Sequence, residues 1–411
     1  MINFFHLIQL AWKNIWRRKA RTIISISSLW FTMTIIIFSK SMMDGTYGHM
    51  IENTIHRFVS YIQIHDENWL DEKTLSNSMN WNSEQDEILN SEKNITAFSK
   101  RIRTGGLISF GEQTRGAQII GIAPENESKV TNFHQKVKSG NFLENDTTSN
   151  CLIGDDLAEK MKIGIGDTLV IMSYDRFGTI SATLSPVAGI LNAGDPQLDG
   201  FTVFISIGEA EMLTSLNGKI TEIAINISNE SNLEKTVAHL QDKLPAIYDI
   251  AKWEKISPEA LQMIAMDKAS GIFSMILLLL IVGFGILNTI YMSIMERTHE
   301  FGILQAIGVY RISLSSLVFV EIIVLLGIAG LISTIGSIPA VLYLANNPIL
   351  LSGAMAEVYE DMGFAAAWYF EYSLSPFLIA NVFVIGSSLI LSIFPLMKMQ
   401  KMRVVEALRN V

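Results

Sequence analysis

A chain of 411 residues could hold two or three soluble domains, but 49 % of it is apolar, only 17 % is charged and its mean hydropathy is +0.32. Soluble domains carry about 25 % charged residues, so the deficit must be concentrated in charge-free tracts. The formal net charge of −9 argues against a nucleic-acid binder with a basic face, and the single cysteine, Cys151, excludes an internal disulfide framework and a Cys-rich zinc site.

The first tract, Thr22 to Ser39, follows the basic stretch Lys13 to Arg21. It is too long for a signal-peptide core and lacks a small-residue cleavage site, so it reads as a retained anchor helix. Residues 44–269 are polar and hold short strand-like runs at Phe58–Ile64, Gly116–Ile122, Thr168–Ser173, Ser185–Leu191, Phe201–Ile207 and Ile220–Ile227. Helical pieces fit between them at Asp155–Met161, Ile207–Ser215 and Ser231–Leu244, which predicts an α+β domain, and Asp66–Ser99 reads as an insertion. Ser257-Pro258 is a helix-start signature. That helix should run into the second tract, Ala269 to Met295, so that the first two membrane helices project as stalks. The third tract, Ile312 to Pro339, holds one acid, Glu321; the fourth spans Tyr372 to Met397.

Each tract is long enough to cross a bilayer, which takes about 20 residues. The N-terminal segment, the loop between the second and third tracts and the C-terminal tail together carry 11 Lys+Arg against 3 acids, whereas residues 44–269 carry 19 against 32. The positive-inside rule puts both termini in the cytoplasm and the large domain outside it. The expected layout is a cytoplasmic amphipathic segment at 1–21, TM1 at 22–43, the outer α+β domain with its stalks at 44–269 and TM2 at 270–295. A cytoplasmic helix at 296–311, TM3 at 312–338, an outer loop at 339–375, TM4 at 376–397 and a cytoplasmic tail at 398–411 complete it. Cys151 then lies where disulfides could form, so the outer domain must fold without one.

Chemistry is sparse. No G-x-x-x-x-G-K-[ST] phosphate loop, H-E-x-x-H pair or G-x-S-x-G elbow occurs. Gly283-Phe284-Gly285 lies mid-tract, where small residues allow close helix packing, and Gly164-Ile165-Gly166 reads as a turn before a strand. His65-Asp66-Glu67 alternates faces and cannot converge on one ion, so it reads as a solvated loop. The segment after TM2 stands out: Glu296, Arg297 and Glu300 share one side, while Phe301, Ile303, Leu304 and Ile307 give it an apolar side. It fits either an amphipathic surface loop or a docking helix for a cytoplasmic partner. Glu321, an ionisable residue within a span, is either hydrogen-bonded to a neighbouring helix or a functional proton site.

The pattern Met-Glu-Arg-x-x-Glu-Phe-Gly-Ile-Leu-x-Ala-Ile-Gly at 295–308, with Asn288 upstream, resembles the signature of the FtsX-like/MacB-like ABC transporter permease domain. Glu321 with Gly327 and Gly330, and Val405 to Arg409, match the same domain. Leu10 to Thr22, Tyr61 to His65, Ile119 to Ile122 and Ile153 to Ala158 are similar to the lipoprotein-releasing, LolC/LolE-type permeases.

The resemblance implies an α-helical membrane protein of type VII ABC permease architecture: four transmembrane helices (1 + 3) with a large α+β extracytoplasmic domain between helices 1 and 2, in the bacterial inner membrane. It implies a permease subunit paired with a second, identical or homologous permease and with a cytoplasmic ABC ATPase dimer. That dimer would hold the ATP and Mg, so this chain would bind no cofactor and would not be an enzyme. Glu296, Arg297, Glu300, Phe301, Gly302 and Gly308 map onto the segment that docks on the ATPase; Asn288 and Glu321 are the intramembrane polar residues. If the substrate is a lipoprotein passed to a periplasmic carrier, Trp30, Phe31, Ile35 and Ile276 could line its cavity, although an ordinary lipid-facing or helix-packing position explains any single one of them better. Two alternatives stand: a MacB-like mechanotransmission exporter working with a periplasmic adaptor, and an FtsX-like regulator of a cell-wall hydrolase that transports nothing.

Overall fold

Each charge-free tract forms one long helix: TM1 Lys19–Thr54, TM2 Pro258–Glu296, TM3 Arg311–Asn346 and TM4 Leu374–Gln400. All four are long and apolar enough to cross a membrane. The computed structural model describes residues 4–17, 19–361 and 366–401. They fall into two units: a helical one within 1–47, 264–349 and 368–411, and a sheet-bearing one of residues 48–263 and 350–367. TM2 begins at Pro258, as the Ser-Pro signature predicts. Both TM1 and TM2 extend well beyond their apolar tracts.

The helical unit packs Met33, Ile36 and Ile37 of TM1 against Leu326 and Ala329 of TM3 and Ala380 and Val384 of TM4. Lipid gives apolar helices no hydrophobic reason to associate, so close packing and interhelical hydrogen bonds must do so. Small residues serve that end here: a Cβ on Gly330 would collide with the Asn381 side-chain oxygen. Asn381 donates to Thr334 Oγ1 at 2.9 Å, and the Thr34 and Ser333 hydroxyls meet at 3.2 Å. The N-terminal helix, Phe4–Arg17, buries Ala11 and Ile15 and packs on TM3.

The sheet-bearing unit is built on a 10-stranded mixed sheet. Its spine is Ile95–Phe110, paired antiparallel with Gln113–Ile122 on one side and, on the other, with Glu222–Ile227 along its first half and Thr168–Tyr174 along its second. Ile62–Asp66 lies between Glu222–Ile227 and Tyr248–Lys252. Gln113–Ile122 runs parallel to Thr202–Ser206, and Cys151–Gly154 parallel to Ile180–Leu191. Helices Asp155–Met161, Ile207–Thr214 and Leu233–Lys243 fall where the sequence places them, and the α+β expectation holds.

Three local readings change. The strand expected from Phe58 starts only at Ile62, because Ile55–Val59 is a π-helical turn ended by Ser60 at φ +68°. The stretch Asp66–Ser99 is not wholly an insertion: from Ile95 onward it enters the central sheet. His65 is not in a solvated loop but on a strand, 1 % exposed, its Nε2 2.9 Å from Gln63 Oε1. Burial holds its pKa down at about 4.

Beside it lies a buried ion cluster. Arg101, fully buried, donates to Glu127 through Nε (3.0 Å) and Nη2 (2.6 Å) and to Glu222 through Nη1 (3.1 Å), while Arg103 Nε adds a second bond to Glu222 (3.1 Å). Burial would raise the Glu222 carboxyl, but Arg103 and Arg101 hold it at about 2. The Phe58 ring lies 3.8 Å below the Arg101 guanidinium. Cys151 is buried and free.

Candidate coupling site at the basic end of the helical unit

TM2 stops at Glu296, and a nine-residue helix, Thr298–Ala306, follows before TM3 starts at Arg311. Phe301, 1 % exposed, and Gly302 anchor this helix in the core of the unit, and Thr298 Oγ1 donates to Ile294 O at 3.0 Å. Gly308 sits at φ +99°, which side-chain-bearing residues rarely adopt. Its N–H reaches Gln305 O and the Val309 N–H reaches Leu304 O, so the helix closes and the chain can turn into TM3.

The charged residues of this segment find partners within the chain. Arg297 Nη1 donates to both oxygens of Glu321, at 2.9 and 3.0 Å, and Asn14 Nδ2 donates to Glu321 Oε1 at 2.7 Å. Arg297 Nε lies 3.6 Å from Glu300, whose other oxygen meets Arg17 Nη1 at 3.0 Å; Arg21 pairs with Glu296. The Arg297 guanidinium also sits 5.0 Å from the Phe301 ring centre. Arg17, Glu300, Arg297 and Glu321 thus form one linked chain of charges, with the Arg21–Glu296 pair beside it, and three acids balance three arginines. Its members contribute unequally. The Arg17–Glu300 pair is solvent-exposed and worth at most about 1 kcal/mol, whereas Glu321 is 7 % exposed and losing its cation costs about 3–5 kcal/mol.

Glu296, Arg297 and Glu300 are therefore engaged within the chain. Besides the exposed Glu296, His299 and Arg311, the segment turns an apolar group outward: Ile303, Ile307 (72 % exposed), Tyr310 (80 %) and Ile312. Asn288 is exposed on TM2 and takes no recorded part in the Glu321 cluster; Asn14 fills that place. Trp30, Phe31 and Ile276 are exposed on the helical unit and Ile35 is half-buried. Val405 to Arg409 lies outside the described residues. Among the described residues, no group of three or more His, Cys, Asp or Glu is placed to hold a metal ion.

The sequence reading passed over Asn14, Arg17 and Arg21 as site residues. A signal for them exists: they recur at i, i+3 and i+7, the spacing of a single helix face. Glu321 needed a partner from another element. The cation that reaches it, Arg297, comes from the junction before the short helix.

Comparison with known proteins gives this unit a context. Residues 22–243 match the MacB-like periplasmic core domain and residues 272–404 the FtsX-like permease C-terminal domain. Relatives include the lipoprotein-releasing system transmembrane protein LolC of Neisseria meningitidis, 20 % identical over 70 % of this chain and 69 % of that protein. LolC of Haemophilus influenzae is 22 % identical over 96 % of both chains. Among solved structures, the periplasmic region of MacB from Actinobacillus actinomycetemcomitans aligns with 50 % of this chain and 94 % of its own at a TM-score of 0.37 and 14 % identity. The chain carries a MacB-like periplasmic core domain over more than half its length and belongs to the FtsX/MacB-like superfamily.

Proposed function

We propose that this chain is the permease subunit of an ATP-driven ABC transporter that extracts lipoproteins from the inner membrane and hands them to a periplasmic carrier. The observation that carries the reading is the alignment with LolC of Haemophilus influenzae along nearly the whole of both chains. In this reading both termini and the 296–308 segment face the cytoplasm, the sheet-bearing unit is periplasmic, and a second permease copy or homologue completes the pore. ATP and Mg belong to a separate ATPase dimer.

The geometry narrows how that ATPase would be held. The charged residues of the coupling segment fix the short helix to TM3 and the N-terminal helix, and the apolar tip at Ile303, Ile307 and Tyr310 enters the ATPase groove. Burying such a tip is favourable whatever the ionic strength, so assembly should resist salt. On the sheet-bearing unit, the pairs Tyr174–Ile180 and Val170–Leu184, with Leu107 opposite Met172, leave an apolar strip exposed. Such a strip suits a carrier of acylated cargo.

A mechanotransmission exporter of the MacB type is the second reading, favoured by the core-domain match at 22–243. Depleting the chain and fractionating the membranes separates the two. Lipoprotein release requires outer-membrane lipoproteins to accumulate in the inner membrane. Normal sorting, with retention of a soluble export substrate, removes the lipoprotein reading and leaves the exporter.

A further inference from the structure

We propose that the turn in which TM1 ends, Ile55–Ser60, is a rigid socket that fastens this helix to the sheet, with Phe58 as its plug and Ser60 as its pin. A π-helical turn carries TM1 on to Val59, and such turns are frequent at functional positions. Ser60 then stands at φ +68° and ψ 170°. That region is open almost only to glycine, and another residue stays there only where its surroundings over-determine it. Here they do. The Ser60 N–H closes the turn onto Ile55 O at 2.7 Å, and its hydroxyl donates to Ile225 O at 2.5 Å, in the strand beside the spine. Ser60 is 1 % exposed, so no water replaces that bond if it is lost.

The carbonyls that a helix end leaves open are spent on the same unit. His56 O accepts from the Asn132 N–H at 2.8 Å, and Val59 O from Gln63 Nε2 at 2.6 Å. The side chains enter two separate cores. Ile55 belongs to the cluster of Ile62 and Ile64, whereas Phe58 packs with Phe133 and Phe204 beneath the Arg101 guanidinium. Packed interiors do not deform by degrees, so the last turns of TM1 cannot move without taking the sheet with them. TM2 enters differently: its first turn, Pro258–Leu261, has no buried residue. Phe58 and Ser60 are therefore positioning residues, which touch no cargo and set the transfer of TM1 movement to the sheet. That ATP drives the movement rests on the permease reading; the rigidity of the socket does not.

The test follows hydrogen exchange of the full-length chain in nanodiscs, alone and with its cognate ABC ATPase. In the chain alone the Ser60 amide should exchange as slowly as the spine Ile95–Phe110. Ser60→Gly, which removes the pin and frees the backbone, should speed exchange at position 60 about tenfold, the loss of one buried hydrogen bond. Phe58→Leu, which stays apolar but leaves no ring beneath the guanidinium, should speed it too, and neither change should alter the spine. With the ATPase present, ATP and vanadate should change exchange in the parent's sheet-bearing unit. Both variants should hydrolyse ATP at the parent's rate, since the short helix after TM2 is untouched, yet lose that response. A Ser60 amide that exchanges like an exposed loop in the parent, or variants that respond to ATP as the parent does, would overturn the socket. So would spine exchange that rises together with that of Ser60, which marks a general loss of stability. A protected Ser60 amide in a parent that gives no response to ATP would support the socket and contradict the permease reading.

Discussion

Substituting Arg297 tests how the coupling segment is held. In Arg297→Leu, Glu321 keeps only the Asn14 hydrogen bond in a site that leaves it 7 % exposed. Stranding a buried carboxylate costs about 3–5 kcal/mol; the partial exposure of Arg297, 17 % at its side chain, places the expectation near the lower end. Glu321→Leu should be milder, because Arg297 still has Glu300 3.6 Å away. Removing both charges in Arg297→Leu/Glu321→Leu should bring stability back to within about 1 kcal/mol of the parent, since a buried pair replaced by apolar groups is often neutral. The four proteins, unfolded by denaturant in the same detergent micelle, complete a double-mutant cycle whose coupling energy should be about 2–3 kcal/mol. Purely additive costs would refute the pairing, and with it the view that Arg297 is spent inside the chain.

Other consequences can be checked on the same protein. His65 titrates at about 4 when folded and near 6.5 when unfolded, so between those pH values the unfolded chain takes up a proton that the folded one refuses. Stability should fall by about 3 kcal/mol as pH drops from 6.5 to 4, and His65→Gln should flatten that slope in a denaturant series. Burial pushes the Cys151 thiol up and out of reach, so maleimide should label it only after denaturant is added; labelling of the native protein would contradict the packing. Gly308→Ala forces a side chain to φ +99° and should lower stability by about 1–3 kcal/mol, with an unchanged midpoint counting against the strained turn.

How much of this could be read from the sequence depended on the range of the interactions. Helix existence followed from charge-free length, a local property, and all four helices appear where the tracts lie. The α+β character followed from local Val/Ile runs such as Thr168–Ser173. The spine strand Ile95–Phe110 did not, because Lys100, Arg101 and Arg103 interrupt its apolar pattern, and only Glu127 and Glu222, 26 and 121 residues away, make burial of Arg101 tolerable. The short helix after TM2 was legible by its motif and amphipathic spacing. Which of its faces is spent inside the chain was not, because Arg297 finds Glu321 24 residues later and Glu300 finds Arg17 on the N-terminal helix.

That partition changes the decisive test of ATPase docking. Reversing Glu300 would break the internal network as well as any interface, whereas Ile307→Asp alters a side chain that is 72 % exposed. The most direct measurement is ATPase stimulation by the chain reconstituted with its cognate ABC ATPase, wild type against Ile307→Asp/Tyr310→Asp, with membrane insertion and melting midpoint followed alongside. The variant should insert and melt like the parent but neither co-purify with the ATPase nor stimulate it. A variant that still binds and stimulates the ATPase would contradict the claim that this apolar tip couples ATP hydrolysis to the permease.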